Sequence, residues 1–188
     1  MASRERARLR ELVREHALTF GDFVLSSGKR SSYYLDLRKI TTLPEGAYLL
    51  ARILLENLSD ANIQGLGGPT IGADPIAGAL AAVSFAEGKA LPTFMVSKDS
   101  KTHGTGRRVE GNLRKGWRVA VIDDVVTTAG SILSAAKAAE EAGAIVERII
   151  AVVDREEGGE QEIVQAGYRF DCVFRVSELL RDARDDPS

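Results

Sequence analysis

The segment that most constrains the fold is residues 119–131, where an apolar run meets two adjacent acids and a loop of small polar residues. The apolar run, Val119–Ile122, predicts a buried strand. Asp123 and Asp124 follow it, and the loop Thr127–Ser131 then leads into a helical pattern. A buried strand, a short loop and a helix in this order indicate an α/β fold.

The same segment has groups that bind a sugar phosphate. Backbone N–H groups of the loop and the start of the next helix favour a phosphate, and the hydroxyls of Thr127, Thr128 and Ser131 add donors. Asp123 and Asp124 can bind sugar hydroxyls or a hydrated Mg²⁺. The alternative is an ordinary strand-turn-helix unit. Against it, two like charges at a strand end repel unless a cation or polyhydroxylic ligand lies between them.

Helical and strand patterns alternate along the chain. They predict helices at 9–17, 44–58, 76–85, 132–142, 161–166 and 178–183, strands at 63–67, 91–96, 119–125, 146–153 and 168–176, and a hairpin or irregular lobe at 20–34. Gly143 is predicted to end the fourth helix and Ser177 to cap the last one. We therefore expect a mostly parallel central sheet flanked by helices, with ligands bound beyond the carboxyl ends of its strands.

Length and composition fit one globular domain. The chain has 188 residues, 44% hydrophobic and 28% charged, and we expect one domain over 1–188, with an N-terminal helix and hood at 1–40 and a mobile flap at 97–112. The net charge of -2 argues against a general nucleic-acid binder. No apolar run can span a bilayer, the first residues are charged, and Cys172 is the single cysteine, which together indicate a cytoplasmic protein.

The segment 98–111 is basic, contains glycines and has almost no apolar residues. A basic stretch of this kind is often a solvated surface loop. This one separates two predicted core strands, however, and loops of such length in compact domains are usually functional or disordered. A mobile flap that carries Lys98, Lys101 and His103 can close over a diphosphate, neutralise a leaving group and exclude water.

The loop after the paired acids resembles the signature by which type I phosphoribosyltransferases bind 5-phosphoribosyl 1-diphosphate (PRPP). Three segments occur in the order seen in the orotate phosphoribosyltransferase family: Leu25–Asp36, the Lys-x-x-Lys-x-His-Gly flap and the Asp-Asp-x-x-Thr-Thr-x-Gly-Ser loop. Gly67–Pro75 and Val153–Arg155 fit the same family. The resemblance covers residues 20–180, and the flap and the hood segment make it more specific than the PRPP loop alone.

The resemblance implies transfer of the 5-phosphoribosyl group from PRPP to orotate, giving orotidine 5′-monophosphate and diphosphate in pyrimidine biosynthesis. It implies a homodimer in which the flap acts across the interface, and Mg²⁺ that arrives with PRPP near Asp123 and Asp124, with no direct protein ligand. The implied reaction needs no covalent nucleophile, so catalysis is expected to rest on positioning and charge neutralisation. The catalytic residues implied are Lys101, His103, Asp123 and Asp124.

The resemblance also implies which residues contact each substrate. The expected PRPP-binding residues are Lys98, Lys101, His103, Asp123, Asp124, Val125, Val126, Thr127, Thr128, Ala129, Gly130 and Ser131. Those expected at orotate are Tyr34, Thr127, Thr128 and Arg155. Two of these have alternatives: Tyr34, with Tyr33, fits a core aromatic, and Arg155 fits a surface ion pair with Glu156 or Glu157.

Three positions depart from the family pattern. Ser26 and Gly72 stand where many members have lysine, and Ser97 stands where the flap usually begins with arginine. Loss of one charge-assisted contact to a transition state costs about 1.5–3 kcal/mol, or roughly ten- to a hundredfold in rate. Replacing Ser97 with arginine is then expected to raise kcat/KM for PRPP, unless Arg107 or Arg108 compensates.

Two other functions fit the PRPP loop. One is a phosphoribosyltransferase for another base, which would differ in the hood. The other is a non-catalytic regulator that senses PRPP, which the Ser97 departure motivates. A pair of helices with the spacing of a DNA-binding motif is not recognisable in the sequence, which disfavours a regulator that binds DNA.

Overall fold

The computed structural model describes residues 2–24, 28, 30–59, 62–98 and 108–181, in which helices and strands alternate. The helices are α1 (Ala2–Leu12), α2 (Arg38–Thr41), α3 (Pro44–Asn57), α4 (Ala73–Ala86), α5 (Gly130–Glu141), α6 (Gly159–Gln165) and α7 (Val176–Arg181), and a π-helical turn, Val13–Ala17, continues α1. The strands are β1 (Leu18–Val24), β2 (Arg30–Leu35), β3 (Gly65–Pro69), β4 (Thr93–Val96), β5 (Val109–Gly111), β6 (Arg118–Val126), β7 (Ile145–Asp154) and β8 (Phe170–Arg175).

A six-stranded sheet with the order β5-β4-β3-β6-β7-β8 lies between the helices. All neighbouring pairs are parallel except β4 and β5, which are antiparallel. Helices cover both faces, as a parallel sheet requires, because both faces of its strands are apolar. The predicted fold class, a mostly parallel sheet flanked by helices, is confirmed.

Strand β6 shows how the sequence directs packing on the two faces. Ala120 and Ile122 belong to the apolar cluster that contains residues of α3 and α4, whereas Val119 and Val121 belong to the cluster that contains residues of α5. All four side chains are fully buried. Successive residues of a strand point to opposite faces, so an unbroken apolar run is what a strand between two helical layers needs.

The predicted hairpin at residues 20–34 forms, and it stands apart from the central sheet. Strands β1 and β2 pair antiparallel, with Leu18 opposite Leu35, and make a separate two-stranded sheet. The rings of Phe23 and Tyr34 pack at a centroid distance of 5.7 Å. We call this hairpin the hood, because it follows α1 and precedes α2 as a unit of its own.

The helix ends are predicted correctly at one position and wrongly at another. Gly143, with φ of 93°, lies just beyond α5, so the predicted stop is confirmed. The predicted cap at Ser177 is wrong, because α7 already begins at Val176. The backbone N–H of Ser177 donates to Glu156 Oε2 at 2.8 Å, so a carboxylate from a neighbouring loop binds a donor of the first turn.

Two short elements were not predicted. Helix α2 has four residues, too few for a helical period. Strand β5 has three residues, and it lies in the segment 97–112 that was predicted as a mobile flap. Its pairing with β4, Val96 opposite Val109, makes the two ends of the flap segment part of the sheet. Residues 99–107 fall outside the described part. No helix in the described ranges is both long and apolar enough to cross a membrane.

Candidate active site

The paired acids lie in β6, close to its carboxyl end. The strand continues through Val125 and Val126, in agreement with the strand predicted at 119–125, so the acids lie within it. The backbone N–H of Asp124 donates to Asp123 Oδ1 at 2.9 Å, and that of Val125 donates to Asp124 Oδ1 at 2.8 Å. These bonds fix both carboxylates against the main chain, at the sheet edge where α/β folds bind ligands.

The loop from β3 to α4 lies directly against the two carboxylates. A methyl group built on Gly72 would be 2.5 Å from Asp124 Oδ1 and 2.7 Å from Asp123 Oδ1, and one on Gly68 would overlap the carbonyl oxygen of Ile122. Glycine at 68 and 72 therefore permits the close approach. This explains physically why glycine can stand at position 72, where many family members have lysine: without a side chain there, the loop can reach the acids.

Burial and repulsion act together on Asp123. The side chain is buried, and desolvation together with the neighbouring charge of Asp124 raises the pKa of Asp123 to about 8. A cation or hydroxyl donors placed beside this buried carboxyl would stabilise its charged form. The pair is thus arranged to receive a ligand of one of these two kinds.

The loop predicted to hold a phosphate connects β6 to α5. A small cavity of about 110 Å³ is lined by Asp123 and by residues 125–132. Ala129 has φ of 63°, a left-handed conformation that is uncommon for a residue with a side chain and that turns the chain into α5. The cavity is thus lined by one of the paired acids and by every residue of the loop.

Gly159 at the start of α6 packs against the other side of this loop. A methyl group at position 159 would lie 2.5 Å from Val126 Cγ1 and 2.6 Å from the carbonyl oxygen of Thr127. The loop is therefore supported from behind by the helix that follows β7. No pattern in the sequence indicates a role for Gly159, whose only signal is that it follows Gly158.

Arg155 lies beside the loop. Its backbone N–H donates to the carbonyl oxygen of Val126 at 2.9 Å. Its guanidinium stacks on the ring of Tyr33, with the carbon 5.1 Å from the ring centroid, and its Nε lies 2.9 Å from Glu157 Oε1. The ion pair with Glu157, one of the two alternatives for Arg155, is thus present, and the stacking brings the arginine to the hood.

The other predicted side chains fall in three groups. Tyr34 is 43% exposed on β2, whereas Tyr33 is partly buried and packs against the main core, so of the two it is Tyr33 that is the core aromatic. Lys98 is exposed at the start of the flap segment. Lys101 and His103 lie outside the described residues, as do Ser26 and Arg107.

Arg38 is a further cation close enough to the paired acids to interact with the charge of Asp124. It forms a bidentate pair with Asp36, with N–O distances of 2.8 and 3.1 Å. That pair raises the pKa of Arg38, and the charge of Asp124 adds a smaller contribution. Asp36 and Arg38 are two residues apart at the entry to α2, a spacing that gave no periodic signal.

The two carboxylates of Asp123 and Asp124 fit a metal ion that binds together with a substrate. Within the described residues no group of three or more metal-ligating side chains occurs. Two carboxylates alone do not make a Mg²⁺ cage, since Mg²⁺ keeps several waters and commonly binds one or two carboxylates together with substrate phosphates. The repulsion within the Asp123–Asp124 pair favours such an ion nearby.

The fold and the site define a phosphoribosyltransferase of type I. The features that do so are the mostly parallel sheet, the paired acids before a loop suited to bind phosphate, and the separate hood. No protein-family profile matches the chain. It is 46% identical to orotate phosphoribosyltransferase of Aquifex aeolicus over 94% of its length and 98% of the relative, and 42% identical to that of Pyrococcus furiosus over 93% and 94%. The chain therefore belongs to the orotate phosphoribosyltransferase family.

A solved structure agrees with this assignment. Orotate phosphoribosyltransferase of Mycobacterium tuberculosis superposes with a TM-score of 0.83 at 37% identity, over 93% of this chain and 98% of that one. The agreement extends through nearly the whole length of both chains. The family resemblance seen in the sequence is thereby confirmed.

Proposed function

We propose that this chain transfers the 5-phosphoribosyl group of PRPP to orotate, giving orotidine 5′-monophosphate and diphosphate. The observation that carries the proposal is the position of the paired acids of β6 against the β3–α4 loop, with Asp123 lining one cavity together with the loop before α5. A nitrogen of the orotate ring attacks the anomeric carbon as the bond to diphosphate breaks, with inversion at that carbon. Such a reaction depends on placing two substrates and stabilising a leaving anion.

PRPP lies across the acids and the loop before α5 in this proposal. Asp123 and Asp124 accept hydrogen bonds from the ribose hydroxyls, and residues 125–131 surround the 5′-phosphate. A relative supports this: M. tuberculosis orotate phosphoribosyltransferase, 34% identical with a TM-score of 0.79 over 93% of this chain and 98% of that one, has been solved in complex with PRPP.

We place Mg²⁺ with the PRPP, next to Asp123 and Asp124. When bound, Mg²⁺ neutralises charge on the diphosphate. The contribution of the two aspartates is to orient the ribose and to present negative charge to the ion. Because their carboxylates are held by main-chain N–H groups, they require little rearrangement when the substrate arrives.

Orotate lies between the hood and the loop, next to Tyr34, Thr127, Thr128 and Arg155. Arg155 can form a bidentate pair with the orotate carboxylate once that group replaces Glu157. The stacking of its guanidinium on Tyr33 supports this role, because it holds the arginine at the hood while leaving its N–H groups for a planar anion.

The diphosphate is held by the flap in this proposal, through Lys98, Lys101 and His103. We further propose a homodimer in which each flap serves the partner's site, and a cytoplasmic location. Lys101 or His103 acts as the acid that assists the leaving diphosphate. The single domain expected over 1–188 comprises the hood, the flap and the sheet.

The test is an assay of purified protein with PRPP, Mg²⁺ and orotate, in which the loss of orotate absorbance is followed. Consumption of orotate that requires both PRPP and Mg²⁺ is the expected result. If none occurs while calorimetry still detects PRPP binding, the proposal is wrong. The same assay with purine bases then separates a transferase for another base from a non-catalytic regulator.

A further inference from the structure

A second and larger cavity adjoins the loop before α5. Its volume is about 480 Å³, and it shares Gly130 and Ser131 with the small cavity of the PRPP loop. It lies over the carboxyl ends of β3 and β4, which contribute Pro69 and Val96 to its wall. The polar side chains that line it are Thr70, Ser97, Lys98, Arg108, Ser131 and Ser134.

Arg108, the residue before β5, reaches across this cavity to Ser134 in α5. Its Nη2 donates to Ser134 Oγ at 2.9 Å and its Nε donates to the carbonyl oxygen of Ser97 at 3.2 Å. Both acceptors are neutral, so these bonds orient the guanidinium without cancelling its charge. Lys98 adds a second cation to the wall, and none of the described lining residues is a carboxylate. The cavity is thus a site for an anion.

The pairing of β4 with β5 explains why the cation comes from position 108. Val96 lies opposite Val109, and the next pair outward is Ser97 and Arg108, where the N–H of Ser97 donates to the carbonyl oxygen of Arg108 at 2.8 Å. Side chains of directly opposed residues start about 4.5–5.5 Å apart. An arginine at either position can therefore reach the same cavity.

We propose that Arg108, at the base of the flap segment just before β5, binds the diphosphate of PRPP in its own subunit, where the tip of the partner's flap also reaches. It supplies the positive charge that an arginine at position 97, just after β4, would supply. This inference rests on the proposed function, since it deepens the description of that same site. On this inference, the positive charge that many family members have at position 97 is supplied in this chain by Arg108, the residue opposite Ser97. Arg108 is accordingly a substrate-binding residue, and the part of PRPP that it binds is the diphosphate that leaves in the reaction.

The first test compares Arg108→Gln with Arg114→Gln, a matched loss of one charge. Arg114 is exposed and stacks on Trp117, away from the cavity. Arg108→Gln is expected to weaken diphosphate binding in calorimetry, and to raise KM for PRPP, by about ten- to a hundredfold, as for loss of a charge-assisted contact. KM for orotate and the melting temperature should stay near the parent values, and Arg114→Gln should change none of them.

The second test places arginine at position 97. In the Arg108→Gln background, Ser97→Arg should restore most of the diphosphate affinity, because the new guanidinium enters the same cavity. In the parent protein the same change should raise diphosphate affinity by a smaller factor, since one guanidinium already lines the cavity. A double-mutant cycle measures this difference directly.

Two results would overturn the inference. One is that Arg108→Gln and Arg114→Gln bind diphosphate with equal affinity. The other is that Ser97→Arg fails to restore diphosphate affinity in the Arg108→Gln background. Should Arg108→Gln not fold, Arg108→Met removes the charge and keeps much of the side-chain length, and an unchanged diphosphate affinity in that folded variant would contradict the inference. Because diphosphate binding is measured without orotate, an inactive parent protein would count against the proposed function and leave this test standing.

Discussion

Asp123 is a buried acid whose charge is unfavourable while the site is empty. Burial and the charge of Asp124 raise the pKa of Asp123 to about 8, from an ordinary value of 3.8. Between these two values the folded protein holds a proton that the unfolded chain has released. The contribution of Asp123 to the free energy of unfolding is therefore most favourable below pH 3.8 and is lost as the pH rises through 8.

Asp123→Asn should accordingly stabilise the free protein at pH 8 while strongly reducing turnover. Asparagine keeps the acceptor for the N–H of Asp124 and removes the buried charge. We expect a gain of about 1–3 kcal/mol at pH 8, seen as a rise in melting temperature of several degrees, and a smaller gain at pH 5.

The exposed Asp22 on the hood offers a control, and Asp22→Asn should show no such dependence on pH. A melting temperature of Asp123→Asn that is equal to or below that of the parent at pH 8 would contradict the account of the buried charge. Near-normal turnover in Asp123→Asn or in Asp124→Asn would count against the assigned PRPP site.

At the scale of elements, the site depends on how closely the β3–α4 loop approaches β6. Gly72 makes this possible because it has no side chain to displace Asp123 and Asp124. Its backbone has φ of -59°, which any residue adopts, so the requirement is for space alone. Stability and activity should therefore respond differently to a small side chain here.

Gly72→Ala is expected to lower kcat/KM for PRPP by tenfold or more with little change in melting temperature, since displacement of a binding group by about 1 Å can cost a hundredfold. Gly78→Ala within α4 is the matched control: a methyl group there meets nothing within 4 Å, and alanine should stabilise the helix by about 0.5–1 kcal/mol. Unchanged PRPP kinetics in Gly72→Ala would show that the loop does not hold the acids in place.

The long apolar elements could be predicted from the sequence, and the short ones could not. An unbroken run such as Val119–Ile122 fits few structures other than a buried strand, and the elements at 44–58 and 132–142 have a clear helical period. Strand β5 has too few residues for any period. The pairing of Ser97 with Arg108, and with it the second cavity, depends on that strand.

The predicted site divides in the same way. The acids and the loop that follows them are contiguous in the chain, and in the structure Asp123 lines one cavity with that loop. The stacking of Arg155 on Tyr33 joins β7 to the hood over a separation of more than a hundred residues, and no local pattern encodes it. The ion pair of Arg155 with Glu157 is local, and it was one of two alternatives from sequence.

For the whole molecule, the proposed flap across the interface makes each site depend on two subunits. Lys101→Ala would then inactivate the flap that a subunit inserts into its partner's site. Asp124→Asn would inactivate the PRPP site within the subunit that carries the substitution. If the two inactive variants are mixed and allowed to exchange subunits, each mixed dimer should contain one site with both residues intact. About a quarter of the parent activity is expected at equal amounts and random exchange.

The control is each variant alone under the same exchange conditions, which should stay inactive. Steady-state assays before and after exchange measure the recovery, and sedimentation checks that dimers are present. No recovery in dimers shown to have exchanged would mean that flap and acids act within one subunit.

Strand β3 consists of Gly65, Leu66, Gly67, Gly68 and Pro69, and all five are buried between β4 and β6. Its end is therefore almost entirely main chain, so the floor beneath the substrates has very few rotatable side chains. Ordering a long side chain on binding costs about 0.5–1.5 kcal/mol. A floor of peptide groups avoids that loss of rotamer entropy, and we therefore expect its shape to change little when the substrates bind.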